Sequence, residues 1–100
     1  MNTSNYALYQ YCILKVNTKL FSSRIEFELD LGEDSATLAT YNEAINQKTQ
    51  QVQKYSHLVD GLNYLATLGW EIVNVYYREF SGTTYNNPQY LLKRLVSDKA

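Results

Sequence analysis

The sequence has little of what usually interrupts a chain: one proline and four glycines in 100 residues. With a hydrophobic fraction of 45% beside them, that scarcity excludes a collagen-like, low-complexity or disordered class, because enough apolar side chains are present to offset the entropy of ordering the backbone. A single cysteine, Cys12, excludes an internal disulfide, and its place inside a strand-like run reads as a small buried residue. A single histidine, His57, excludes a metal site built on paired imidazoles and routes any nucleophile-base pair through one position. An excess of one charge is missing too. Nine Lys plus Arg stand against ten Asp plus Glu, a formal net charge of -1, so no global field draws the chain to polymeric nucleic acid or to an anionic membrane. No apolar run approaches the ~20 residues that cross a bilayer. The start, "MNTSNYALYQYCILKV", lacks the basic residues and unbroken apolar stretch of a secretory signal, so the expected setting is cytoplasmic. What is present in excess is tyrosine, ten of them.

The size is that of one domain, residues 1–100, with room for one hydrophobic core. Residues Tyr6 to Val16, rich in Tyr, Leu, Ile and Val, read as a first strand, with "NTKLFSS" as the loop after it. In "RIEFELDL", Ile25, Phe27, Leu29 and Leu31 alternate with Arg24, Glu26, Glu28 and Asp30, the signature of a strand with one face buried and one wet. Residues 32–55 have tolerable helix formers but no sustained apolar face before Val52, and read as a polar excursion, an arm or insertion, in preference to the first half of one long helix from about Asp34 to Leu68. Ser56 carries that choice, since a serine there can cap a helix running Ser56 to Leu68 with Leu58, Leu62, Leu65 and Ala66 on its core stripe.

Gly69 supplies the positive φ that ends such a helix, and Trp70 then folds back onto Leu65 as the apolar contact of the helix end. A third strand, Trp70 to Phe80, leaves at once. Simple alternation puts Trp70, Ile72, Tyr76 and Phe80 on one of its sides and Val73, Val75 and Tyr77 on the other. After the loop "SGTTYNNP", Gln89 to Leu95 forms the last strand. The expected fold is α+β: an antiparallel four-stranded sheet with one main helix on one face, in the order strand, strand, helix, strand, strand.

The unit "LNYLATLGWEIVNV", the early "YQYCILKV" and the closing "LLKRL" resemble a family of small bacterial and phage-borne domains of unknown function, marked by a helix ending in Gly-Trp-Glu, a strand, and a final strand with Lys-Arg. "TKLFSS" and "YSHLVDGLNYLATLGW" are similar to short hypothetical proteins of gut bacteria and mobile elements. The likeness covers both ends of the chain well and Gly32 to Gln53 poorly. It implies the fold and brings no catalytic residue, cofactor or metal with it.

The acids Glu26, Glu28 and Asp30 share one strand face, but carboxylates two residues apart point in parallel and do not converge on a cation, so they read as a solvated or edge-protecting stripe. His57 beside a helix start reads as a surface residue, and only a cleft that gathers His57, Cys12 or several carboxylates would favour an enzyme, the third-ranked reading. The tyrosines carry the functional argument. Tyrosine suits partly wet interfaces, and one helix of about 13 residues spans only roughly 20 Å and shields one sheet face. The leading expectation is therefore a non-enzymatic binding protein that self-associates, most simply as a dimer, through a Tyr-rich sheet surface. A protein that binds or sequesters a small anionic, nucleotide-like ligand comes second. The interface or ligand candidates are Tyr9, Tyr11, Tyr76, Tyr77, Arg78, Tyr85, Tyr90, Lys93 and Arg94, while Ser56, Leu65, Gly69 and Trp70 are structural.

Overall fold

The computed structural model describes residues 8–18, 24–34, 43–79 and 86–97. Four strands, β1 (Leu8–Thr18), β2 (Ile25–Asp30), β3 (Glu71–Glu79) and β4 (Asn86–Ser97), form one antiparallel sheet in the order β2-β1-β4-β3. Between β2 and β3 come α1 (Glu43–Gln50), a 3-10 turn (Gln51–Lys54) and α2 (Leu58–Thr67). The fold is the expected α+β sheet with its main helix on one face, and a second, short helix beside it. The first and last strands lie side by side in the middle, with Gln10 opposite Arg94, Cys12 opposite Leu92 and Leu14 opposite Tyr90.

Alternation sorts the side chains into two faces. Cys12, Leu14 and Val16 of β1, Phe27 of β2 and Tyr90 and Leu92 of β4 point to the helical layer and form the core with Val52, Leu65 and Trp70. On β1 and on β4 these positions follow one another at the two-residue period that a pleated strand requires. The opposite phase, Tyr9, Tyr11, Ile13 and Lys15 on β1 and Gln89, Leu91, Lys93 and Leu95 on β4, points away from the helices.

The end of α2 is built as the sequence implies. Gly69 has φ +93°, its N–H donates to the Ala66 carbonyl at 3.0 Å, and the Trp70 N–H donates to the Leu65 carbonyl at 3.2 Å. Two of the carbonyls that a helix end leaves unpaired are thereby satisfied, and Trp70 is carried into the core beside Leu65.

Four expectations need correction. The helix starts at Leu58 with His57 as its cap, and no side chain caps it. Ser56 serves differently: its carbonyl accepts from the Ile25 N–H at 2.9 Å and its hydroxyl from Arg24 Nη2 at 3.3 Å, which ties the helix approach to β2. On α2, Leu65 is buried but Ala66 is exposed, and Gly61 takes the buried place because the helix runs against the Phe27 ring with no room for a Cβ. Residues 43–54 are also not an arm. Thr49 and Val52 are fully buried, Tyr64 Oη donates to the Lys48 carbonyl at 2.6 Å, and the Tyr55 and Tyr64 rings meet at 5.1 Å. One apolar residue and one threonine whose hydroxyl is doubly bonded suffice to anchor this polar stretch, which a search for an apolar stripe passes over.

The fourth correction concerns β3. Its register with β4 shifts between Ile72, opposite Leu92, and Asn74, opposite Leu91, so a bulge resets the alternation. Val75 and Tyr77 then share the helix side with Ile72, opposite Tyr90 and Pro88, while Tyr76 crosses to the far face opposite Gln89. Adjacent Tyr76 and Tyr77 still point to opposite faces, as a strand demands. Phe80, Tyr6 and most of the two expected loops lie outside the described residues, and β4 begins at Asn86, before the expected end of its loop.

Candidate functional site

The sheet face turned away from the helices is the candidate site. Among the described residues nothing packs over it. Read across the strands, its rows are Tyr9 beside Leu95, then Tyr11 beside Lys93 and Glu71, then Asp30, Ile13, Leu91 and Asn74, and last Glu28, Lys15, Gln89 and Tyr76. Tyr11 is 53% exposed, Tyr76 48% and Leu95 46%, while Ile13 and Leu91 between them are only partly covered. Large apolar bodies are thus held on a pleated surface with their edges in water.

Lys93 stands at the centre. Its Nζ lies 4.7 Å from the centroid of the Tyr9 ring and 3.7 Å from Glu71 Oε1, so the ammonium is shared between an aromatic face and a carboxylate. On the β2 side, Lys15 stands opposite Glu28, whose carboxylate also accepts from Asn17 Nδ2 at 2.7 Å. The acidic stripe expected on this strand is therefore spread along a mixed-sign surface, and no group of three or more His, Cys, Asp or Glu able to hold a metal is found among the described residues. His57 is exposed, 4.0 Å from Asp60, whereas Cys12 is in the core with burial pushing its thiol up to about 12. His57 and Cys12 are therefore not brought together.

The nine tyrosine and cation candidates do not fall together. Tyr9, Tyr11, Tyr76 and Lys93 share the open face. Tyr77, opposite Pro88, is exposed on the other side of β3, the edge strand of the sheet. Tyr90 and Arg94 are core residues, since the phase of β4 turns them with Leu92 toward the helices; burial first and Tyr77 second raise the Tyr90 phenol above its ordinary range. Arg78 is placed by its backbone opposite Asn87, and Tyr85 lies outside the described residues.

The polar side chains that reasoning from the sequence passed over lie under the helices. Trp70 Nε1 donates to Thr49 Oγ1 at 2.9 Å, and the same hydroxyl donates to the Ile45 carbonyl at 2.7 Å. Arg94 Nε donates to Gln10 Oε1 at 3.1 Å, and Gln10 Nε2 donates to Asn46 Oδ1 at 2.8 Å. The guanidinium carbon also sits 5.7 Å from the Trp70 ring centroid. The signal for Gln10 was present: it shares the two-residue phase of Cys12, Leu14 and Val16, but the tyrosine phase of β1 is as bulky, so hydrophobicity alone did not say which side was in. No helix among the described residues is long and apolar enough to cross a membrane. Compared with known proteins, the chain matches no family model, no curated protein and no solved structure.

Proposed function

We propose that this chain is a non-enzymatic interaction protein that self-associates through the open face of its sheet, most simply as a two-fold dimer. The observation that carries the reading is the contiguous row of Tyr9, Tyr11, Ile13, Leu91, Leu95 and Tyr76 on a face with nothing described above it. Four strands at ~4.8 Å spacing and about eight residues at ~3.3 Å each give a projected face of roughly 500 Å². Corrugation by tyrosine and leucine side chains brings this toward the ~800 Å² per partner of a standard interface. A face of one sign would repel its own copy. Here Lys15 and Lys93 interleave with Glu28 and Glu71, so a second copy can approach without like charges opposed. Tyrosine fits such a surface because its ring is buried while its hydroxyl keeps a wet partner.

The test is substitution on each face. Tyr11→Asp and Tyr76→Asp should each lower the mass measured by light scattering with an unchanged far-ultraviolet spectrum, whereas Val59→Asp, on the exposed side of α2, should leave the mass as it was. Variants of Tyr11 and Tyr76 with the mass of the unmodified protein would remove the open face from the interface.

A further inference from the structure

The two edges of the sheet, β2 and β3, are finished differently. Along β2 the Ile25 N–H is taken by the Ser56 carbonyl at 2.9 Å, and Glu26, Glu28 and Asp30 put a charge at every second position. Cover and charge of this kind keep an edge from pairing with another chain. The stretch "IVNVYY" of β3, Ile72 to Tyr77, has no charge, proline or glycine, and no described backbone group pairs with its outer side. Its bulge lies at the start and leaves Asn74 to Glu79 in regular register with β4. Two observations fix which backbone groups face outward. Pro88, opposite Tyr77, has no N–H to give, so this is the non-bonded kind of antiparallel pair, which turns the Tyr77 N–H and carbonyl away from β4. Two residues back, the Val75 N–H donates at 2.8 Å to the side chain of its neighbour, Asn74 Oδ1, instead of to a strand. Outward ladder groups thus recur at Val75 and Tyr77, about 7 Å apart.

The helical layer stops short of this edge. Ile72, Val75 and Tyr77 lie on the helix side, yet Ile72 is 50% and Tyr77 67% exposed. Because α2 is held over β2, with Gly61 against the Phe27 ring, a groove of about 300 Å³ remains between α2 and β3, lined by Leu62, Leu65, Ala66, Trp70, Ile72 and Leu92. We propose that the outer edge of β3 is a strand-addition site, which takes an extended segment of another protein as a fifth strand and seats one of its large apolar side chains in this groove. In such sites main-chain bonds supply affinity, and a pocket that reads alternate side chains supplies specificity. The partner's chemistry follows from what it lies beside. Its positions on the helix side meet Ile72, Val75 and Tyr77 and are apolar or aromatic. Those on the far side meet Asn74, Tyr76 and the exposed carboxylate of Glu71, so they are polar, with a Lys or Arg at the Glu71 end. The edge and the open face are different surfaces, so either can fail without the other.

The experiment adds peptides as long as β3, nine residues, to the full ¹⁵N-labelled chain. Each peptide has Lys at both ends and alternates Thr with Val, Leu, Phe or, as the control, Glu. The apolar peptides should move the Val75 and Tyr77 N–H cross-peaks saturably, to an extent that depends on the side chain, and the Glu peptide should not. At about ten times the dissociation constant, hydrogen exchange of the Tyr77 N–H should slow roughly tenfold, in proportion to the free fraction left. Tyr77→Pro removes the outward donor, a change that an edge strand tolerates, and should weaken binding roughly three- to tenfold relative to Tyr77→Thr, which loses the ring but keeps the N–H. No saturable shift with any apolar peptide, shifts confined to the open-face residues Tyr11 and Leu91, or equal binding by Tyr77→Pro and Tyr77→Thr overturns the site. A Tyr77 N–H already protected in the protein alone also overturns it, since the edge would then be filled by this chain or by a second copy. Should Tyr77→Pro not fold, the shifts and the exchange of the unmodified protein decide alone.

Discussion

Replacing Gly61 by alanine sets two effects of known sign against each other. In the interior of an exposed helix the change stabilises by ~1 kcal/mol, because glycine has more backbone freedom to lose. Gly61 faces inward, however. A Cβ there would lie 2.5 Å from Phe27 Cζ and 2.6 Å from Cε2, where comfortable carbon contacts need about 3.5–4.0 Å. Roughly 1 Å of movement is therefore required, either of the buried Phe27 ring or of α2 away from the sheet. Overpacking of that kind costs ~1–3 kcal/mol, so after the propensity gain a net loss of about 1 kcal/mol is expected. Urea unfolding at 25 °C with an unchanged slope measures it. The decisive comparison is made in a Phe27→Leu background, where the shorter side chain vacates the ring's place and Gly61→Ala should turn neutral or stabilising. The coupling between the two sites should then reach ~1 kcal/mol or more. A Gly61→Ala protein more stable than the parent, or additive effects of the two changes, would show that α2 does not lie against Phe27 and would refute the helix placement.

Trp70→Ala should cost ~3–5 kcal/mol, as large aromatic truncations in cores do; Trp70→Phe, which keeps much of the ring but leaves the Thr49 hydroxyl without its donor, should lose ~1 kcal/mol beyond the change in volume. Both are read by denaturant unfolding, and near-native stability of Trp70→Ala would place the indole outside the core. Gly69→Ala should cost ~1 kcal/mol. The origin there is the positive φ alone, because a Cβ would meet nothing within 4 Å, so Gly69→Asn should recover part of the loss. Cys12 ties stability to pH. Its thiol is raised in the fold from 9.0 to about 12, so above pH 9 the unfolded chain releases a proton that the folded one keeps, and stability should fall between pH 9 and 12. Cys12→Ala should flatten that part of the curve, and an identical slope in the two proteins would mean the thiol is solvated.

Much of the fold was legible because local signals agreed. The strict alternation of "RIEFELDL" defined β2, and one glycine between a helical and a strand-like run located the α2 end and the role of Trp70 together. Where a single residue had to outvote a pattern, reading failed. Ser56 has the chemistry of a cap but its hydroxyl accepts from Arg24, a partner 32 residues away that no local rule reveals. The bulge at Ile72–Asn74 carries no glycine or proline, so nothing in the sequence announced that Tyr76 and Tyr77 would exchange faces. Thr49 and Gln10 look like surface residues until the indole of Trp70 and the guanidinium of Arg94 supply their partners. The open-face tyrosines Tyr9 and Tyr11 were legible as a pair from their spacing, but their grouping with Tyr76, Lys93 and Leu95 required the strand order, which places β4 between β1 and β3.

Sedimentation equilibrium of the unmodified protein over a hundredfold range of concentration tests the central claim most directly. Self-association through the open sheet face predicts a mass that rises with concentration to twice the 11.6 kDa of one chain, or stays at that value throughout, and that returns toward 11.6 kDa in Tyr11→Asp. A mass of 11.6 kDa at every concentration would contradict it.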